Sequence, residues 1–432
     1  MNPDFNDRSP LAEALSYHRS AWSRYRSGDL GVDTANRPHS LSRLRGSLDR
    51  GALLDAIALV SDRHSALRLG VRDTAQGPLL VARATMPRPT EHRISRRSVA
   101  DGLSLAVDLT WSAYDLTGAP LARTFLIKLG AQDHIFGVGL HHFVGDAISI
   151  GIVNLDIQYA YSMLSRHRTP KWPSEPLQYL NYLQAIRVWS NDQANKSHFA
   201  YWRKKLGSAR TFSGAPAAPR AAGSSVQFSI DEIEAGKIRR LGETSKAGTF
   251  AVLLAAQFVA LRDLSGRDDN IIATITHGRE MPVLRSVVGY LADRTLHRVD
   301  LLGTSTPRSV VERVHVALRE ASRHSFVRYN ILQDKLGLRD GSIAAPVFGY
   351  RSIRASGDRS LLVAPGWSRL AVPSPGQRSG LSPALRLYRM DILDTASGMR
   401  GALVSAPDLP SGFLEMFRAA LAALAAPTPS SG

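Results

Sequence analysis

The sequence predicts an α/β protein of two lobes, each a sheet covered by helices. Short apolar runs of strand length alternate with longer segments whose apolar residues recur every three or four positions. A stretch rich in Gly, Ala, Pro and Ser, residues 207–225, breaks that alternation near mid-chain. Beyond it the order of elements loosely repeats that of the first half. At 432 residues there is room for two or three domains. The expected lobes are residues 1–174 and 175–426, followed by a disordered tail at 427–432.

A first helix is expected around Leu11–Arg26. Leu48–His64 is amphipathic, with Leu53, Ile57 and Val60 in register. A hairpin follows, Leu67–Arg72 and Pro78–Ala84, around the turn residues Asp73 to Gly77. Ser98–Trp111 has helical spacing, and Leu121–Leu129 and His134–Leu140 have the look of paired strands. Ala147 to about Ser165 carries an apolar stripe of Ile148, Ile152, Leu155 and Tyr159. Helical patterns return at Pro176–Trp189 and Ala194–Leu206. In the second half, strands are expected at Val226–Ile230, Asn270–Ile275, Thr295–Asp300, Pro346–Ile353, Ala384–Leu393 and Met399–Ser405. Helices are expected at Asp231–Glu243, Thr249–Leu264, Pro307–His324 and Ser411–Ala425.

Composition narrows the chemistry. The chain has no cysteine, which excludes disulfides, thiolate nucleophiles and cysteine–zinc sites. Met1 to Asp7 lacks the basic and apolar stretches of a secretory signal, and no apolar run is read as a membrane span, so a cytoplasmic setting is expected. The formal charge is +17. The basic residues are scattered in small groups such as Arg43/Arg45/Arg50 and Arg203/Lys204/Lys205, without nucleic-acid motifs or aromatic–basic interleaving. They form either a solvated basic surface or an attraction to an acidic partner, a carrier protein or a phosphate-bearing acyl donor.

The most informative stretch is His141-His142-Phe143-Val144-Gly145-Asp146-Ala147, between a buried strand and a helix. Rigid elements on both sides make such a junction a good place to hold a reactive group. Neighbouring residues of an extended chain point to opposite sides, so one histidine is expected to pack inward and the other to face a cleft. Two ligands, one His and Asp146, do not make a metal site. Asp146 is readable as a helix N-cap, or as a partner for a distant arginine. A neutral imidazole here can serve as general base for an amine or hydroxyl attacking an activated acyl group, with amides of the helix start, around Gly145 and Ala147, facing a developing oxyanion.

Leu140 to Ser149 closely resembles the HHxxxDG core of nonribosomal peptide synthetase condensation domains, within the superfamily of chloramphenicol-acetyltransferase-like acyltransferases. Further segments match in order. Asp62–Arg68 is similar to the family's RHExLR segment, and Tyr179–Trp189 to its YxDYAxW segment, with Asn181 in place of Asp. Tyr201–Leu206 is similar to yWxxxL, Val288–Arg298 to IGxFVNTLxxR, and Gly278-Arg279 to a Gly-Arg pair. The resemblance implies two acyltransferase-like lobes in a V with a tunnel at their junction. It implies His142 as the catalytic position, His141 as its inward neighbour, and Asp146 as structural, paired with Arg279. The family's latch has only a faint echo in Ala364-Pro365-Gly366-Trp367. Ala147 replaces the family's Gly; were φ positive there, alanine would cost roughly 1–2 kcal/mol.

The implied function is that of a freestanding, monomeric condensation enzyme. It joins an acyl or aminoacyl thioester, held on the phosphopantetheine of an acidic carrier protein in trans, to a small amine, without a permanently bound cofactor. Neither nucleic acid nor membrane is an expected partner. The alternatives are a CoA- or carrier-dependent O-acyltransferase with an alcohol acceptor, and a catalytically silent domain that docks carriers.

Overall fold

The computed structural model describes residues 11–13, 18, 22–23, 25–27, 37–75, 77–82, 86, 88–94, 98–117, 120–207, 224–336, 345–354, 366–370, 388–405, 409 and 412–426. The first half runs β1 (Leu11–Glu13), β2 (His39–Arg45), α1 (Arg50–Arg63), β3 (Leu69–Arg72), β4 (Leu79–Ala82), β5 (Thr90–Arg93) and α2 (Val99–Trp111). It continues through β6 (Ala122–Gly130), β7 (Asp133–Leu140), α3 (Ala147–Leu164), α4 (Tyr179–Asn191) and α5 (Lys196–Leu206). Next come β8 (Ser224–Ile230), α6 (Glu232–Thr244), α7 (Gly248–Ser265), β9 (Asp269–Thr276), β10 (Asp293–Asp300), α8 (Pro307–Arg323) and α9 (Tyr329–Lys335). The last elements are β11 (Val347–Ser352), β12 (Trp367–Leu370), β13 (Tyr388–Thr395), β14 (Gly398–Ser405) and α10 (Phe413–Ala425).

Two compact units result. The first comprises residues 1–191 with 277–292 and 358–379, and the second holds the remainder. This differs from the expected boundary at 174/175. The reason is burial: Tyr179, Leu180, Tyr182 and Leu183 of α4 share one core with α1 and α3, and so do Leu284, Val287, Val288 and Leu291.

In the first unit a five-stranded sheet has the order β12-β2-β7-β6-β5. β7 is the middle strand, antiparallel to β2 and β6. Its sequence is apolar on both faces because both are covered. Phe136, Val138 and Leu140 enter the main core, while Ile135 joins a smaller one with Leu41, Phe125 and Ala106 of α2. A second sheet, β1-β4-β3, lies in the same unit. The second unit has six strands in the order β10-β9-β11-β13-β14-β8, packed on α6, α7, α8 and α10.

Several expectations needed correction. Leu11–Glu13 lies inside the expected first helix but pairs with β4 as a strand; His18, Trp22, Ser23, Tyr25 and Arg26 are helical. β2 was not legible because its two leucines, Leu41 and Leu44, are three apart, a helical interval, and serve opposite faces of the sheet. β5 is a polar edge strand, TEHR, with no apolar signal. The faint latch echo ends in Trp367, which opens β12 and pairs with Leu44 at the sheet edge; Ala364 and Pro365 lie outside the described residues, as do most of the 207–225 stretch and the 427–432 tail. Among the described residues one helix, α7, is long and apolar enough to cross a membrane, contrary to the sequence reading. Its apolar residues are spent in the second unit's core, Val252 to Leu254, Phe258 and Leu261 among them.

Candidate active site

The site grows from the end of β7. Beyond Leu140 the chain makes a tight turn, with Val144 N donating to His141 O (3.0 Å), and enters α3 at Ala147. His141 is buried and its Nδ1 accepts from Phe143 N (3.1 Å), so it is the inward-packed member of the pair. Its ring meets Phe143 and Tyr114 edge-on. His142 is half-buried, and its Nδ1 lies 3.0 Å from the carbonyl oxygen of Gly145. A carbonyl only accepts, so Nδ1 carries the proton and Nε2 of the neutral ring is the basic nitrogen. Gly145 thus meets the histidine through its carbonyl oxygen, an acceptor that sets the tautomer.

Asp146 caps α3. Its Oδ1 accepts from Ser149 N (2.9 Å) and from Ser149 Oγ (2.8 Å). Arg279 reaches it with two nitrogens, Nη1 to Oδ2 at 2.8 Å and Nη2 to Oδ1 at 3.1 Å. The amides of Leu291 and Ala292 donate to Oδ2 at 3.0 and 2.9 Å. The pair is sealed from solvent, with side-chain exposures of 3% and 2%. A buried carboxylate is costly unless its lone pairs are answered, and here donors surround both oxygens. Burial alone would push the Asp146 carboxyl up. The Arg279 charge, its hydrogen bonds and those of Ser149 outweigh this and hold the group below the ordinary carboxylate range.

Arg279 is itself fixed, donating to His277 O (3.0 Å) and Val287 O (2.9 Å). Gly278 makes this approach feasible. Its φ is +65°, and a Cβ there would lie 2.1 Å from Leu291 O. Ser149 was not singled out from the sequence, yet it ties the helix start to the 287–292 segment. Its Oγ lies 2.8 Å from Gly289 O and accepts from Gly289 N at 3.0 Å. Tyr290 was also missed; its ring stands edge-on to His142, with centroids 5.3 Å apart. Both residues lack a local signal, because a serine in a first helical turn and an aromatic beside a glycine are commonplace.

Ala147 is the first residue of α3 and is not among the residues with positive φ. The strain foreseen for alanine here is therefore absent, because a helical backbone accepts any L residue. Ala147→Gly is expected to lower stability by about 0.5–1 kcal/mol through added backbone entropy. A rise in the urea midpoint would show that the alanine is strained after all.

The family model for the condensation domain matches residues 36–352. The chain belongs to the condensation domain family. A linear gramicidin synthase polypeptide of Brevibacillus parabrevis is 28% identical over 318 residues, which are 71% of this chain and 6% of that synthase. The condensation domain therefore spans a small part of this large relative. Among solved structures, the X-domain from teicoplanin biosynthesis superposes with a TM-score of 0.78 at 22% identity, covering 98% of this chain and 96% of that one. The X-domain in its complex with OxyB gives 0.76. The condensation domain from the Monacolin K polyketide synthase MokA gives 0.75 at 17% identity, covering 96% of each chain. These likenesses establish that the chain has the fold shared by these X- and condensation domains.

Three further matching segments of this condensation domain make packing and hydrogen-bond contacts. His64 Nε2 lies 2.7 Å from Asp156 Oδ2, joining the end of α1 to α3. Asp156 is ten residues beyond Asp146, or ~15 Å along the helix, so Asp62–Arg68 does not join the histidine turn through this contact. Tyr179 and Tyr182 are buried in the core while Asn181, at the departing position, is exposed. Trp202 is buried in the second unit and donates to His324 O (3.2 Å).

Proposed function

We propose that this condensation domain transfers an acyl or aminoacyl group from the phosphopantetheine thiol of a carrier protein to an amine, forming an amide. The amine nitrogen attacks the thioester carbonyl, the carbon–sulfur bond breaks, and the thiol leaves. His142 Nε2 takes the proton that the amine sheds and returns it to the departing sulfur. The observation that carries this reading is the Nδ1–Gly145 hydrogen bond, which keeps the proton off Nε2 in the neutral ring. The intact clasp of Asp146, Arg279 and Ser149 supports it by fixing where α3 begins. The excess of basic residues, +17 in all, suits an acidic carrier protein.

A second reading, a silent domain that recruits a partner, draws on the likeness to the teicoplanin X-domain, itself solved with OxyB. The retained histidine with an imposed tautomer favours catalysis. The test is an intact-mass assay in which an acyl-loaded carrier is offered with a panel of amines. Loss of the acyl mass from the carrier with matching amide in solution supports the proposal. Transfer from acyl-CoA but not from the carrier would assign the donor to CoA, and ester formation alone would assign the acceptor to alcohols. Docking of the carrier without transfer to any acceptor would favour the silent domain.

A further inference from the structure

We infer that Tyr290 is a positioning residue for His142, and that the Asp146–Arg279–Ser149 clasp acts on the histidine through it. The inference rests on His142 being the working group. In a free histidine side chain the Nε2–H form is the commoner neutral tautomer, so the Nδ1–H form required by the Gly145 contact has to be imposed. One hydrogen bond of 3.0 Å does this only while the ring stays in its plane. The Tyr290 ring is placed to keep it there. It stands at 72° to the imidazole with centroids 5.3 Å apart, so rotation of His142 about χ2 sweeps the ring toward it.

Tyr290 is pinned on both sides in the chain. Gly289 donates its amide to Ser149 Oγ (3.0 Å), and it fits because a Cβ there would meet the Tyr179 ring at 2.1 Å. Leu291 and Ala292 donate their amides to Asp146. The Tyr290 carbonyl also lies 3.5 Å from the Tyr179 hydroxyl. The same Asp146 that starts α3 therefore fixes the backbone from which the Tyr290 ring projects. In the family pattern IGxFVNTLxxR this residue falls on the open position.

Labelling the histidines with ¹⁵N and recording long-range ¹H–¹⁵N spectra reads the His142 tautomer without any substrate. Wild type is expected to show a single Nδ1–H form. Tyr290→Ala is expected to shift His142 toward a mixture with the Nε2–H form, move its titration midpoint, and change its rate of carbethoxylation by diethylpyrocarbonate. Tyr290→Phe, which keeps the ring, is expected to restore all three. Tyr290→Leu serves if the alanine variant does not fold, with the same shift expected. An unchanged tautomer and midpoint in Tyr290→Ala or Tyr290→Leu overturns the inference, and so does failure of Tyr290→Phe to restore them. If His142→Ala keeps full transfer activity, the proposed function fails separately, while the spectra still decide the role of Tyr290.

Discussion

Replacing His142 by alanine is expected to separate acceptors by their acidity. With an alcohol, whose proton is hard to remove, turnover falls by about 10²–10⁴-fold, the usual worth of a positioned base. With an α-amine the loss is smaller. Its pKa lies near ~7.7–8.0, so about a tenth of it is already neutral at pH 7. The histidine then serves mainly to orient the nitrogen and collect a proton late. The loss with the amine narrows further as pH rises through 8, because the amine sheds its own proton. Product formation by mass spectrometry, with one carrier-bound thioester, a matched amine and alcohol, and pH 6–9, measures this. Equal losses for both acceptors at every pH would mean that His142 does not act as the proton acceptor. Wild-type rates would remove it from the chemistry altogether.

Arg279→Ala is expected to have the largest effect on stability, a loss of about 3–5 kcal/mol at pH 7. The variant leaves a carboxylate that is 2% exposed without its cation. The pH dependence has a definite sign. In wild type the Asp146 carboxyl is held below its unfolded value. Its stabilisation is therefore fully present above the unfolded pKa of ~3.9 and is lost as pH falls through the lower folded value. Without Arg279, burial pushes the group up instead. The folded variant then gains by binding a proton, and the gap to wild type closes on acidification. Urea unfolding at pH 7 and near pH 4 checks this, and a gap that stays constant would show that the charge on Asp146 is not what Arg279 answers. Arg279→Lys restores the charge but not the two-pronged contact, and falls between the two.

Local pattern made part of this molecule legible. β7 announces itself by an unbroken apolar run, and α3 by an aspartate just before an apolar stripe, so the position of the histidine turn follows from neighbouring residues alone. That His141 is the more buried of the two histidines fits the alternation of an extended chain. What local pattern lacks is the partner across the fold. Asp146 and Arg279 are 133 residues apart, and only the family resemblance brought them together. Ser149 and Tyr290 have no marking in sequence, because their roles depend on which segment crosses the helix start. The same limit explains the displaced boundary. The spacing of Leu284, Val287, Val288 and Leu291 shows that they are buried but not which core receives them.

Asp146 receives hydrogen bonds from Ser149, Arg279, Leu291 and Ala292, and that spread has a consequence for how the protein is made. At roughly 5–20 residues per second, the 133 residues between Asp146 and Arg279 take the ribosome roughly 7–27 s to add. A nascent chain that has reached Asn191 already holds His142, Gly145 and Asp146, with Ser149 alone of those partners. Closing the remaining contacts spends loop entropy that local helix formation does not, so they belong to the slow, long-range part of folding. His142 is therefore synthesised early and its surroundings are finished late, and a polypeptide stalled before Arg279 has the turn without the arginine and the amides that hold Asp146.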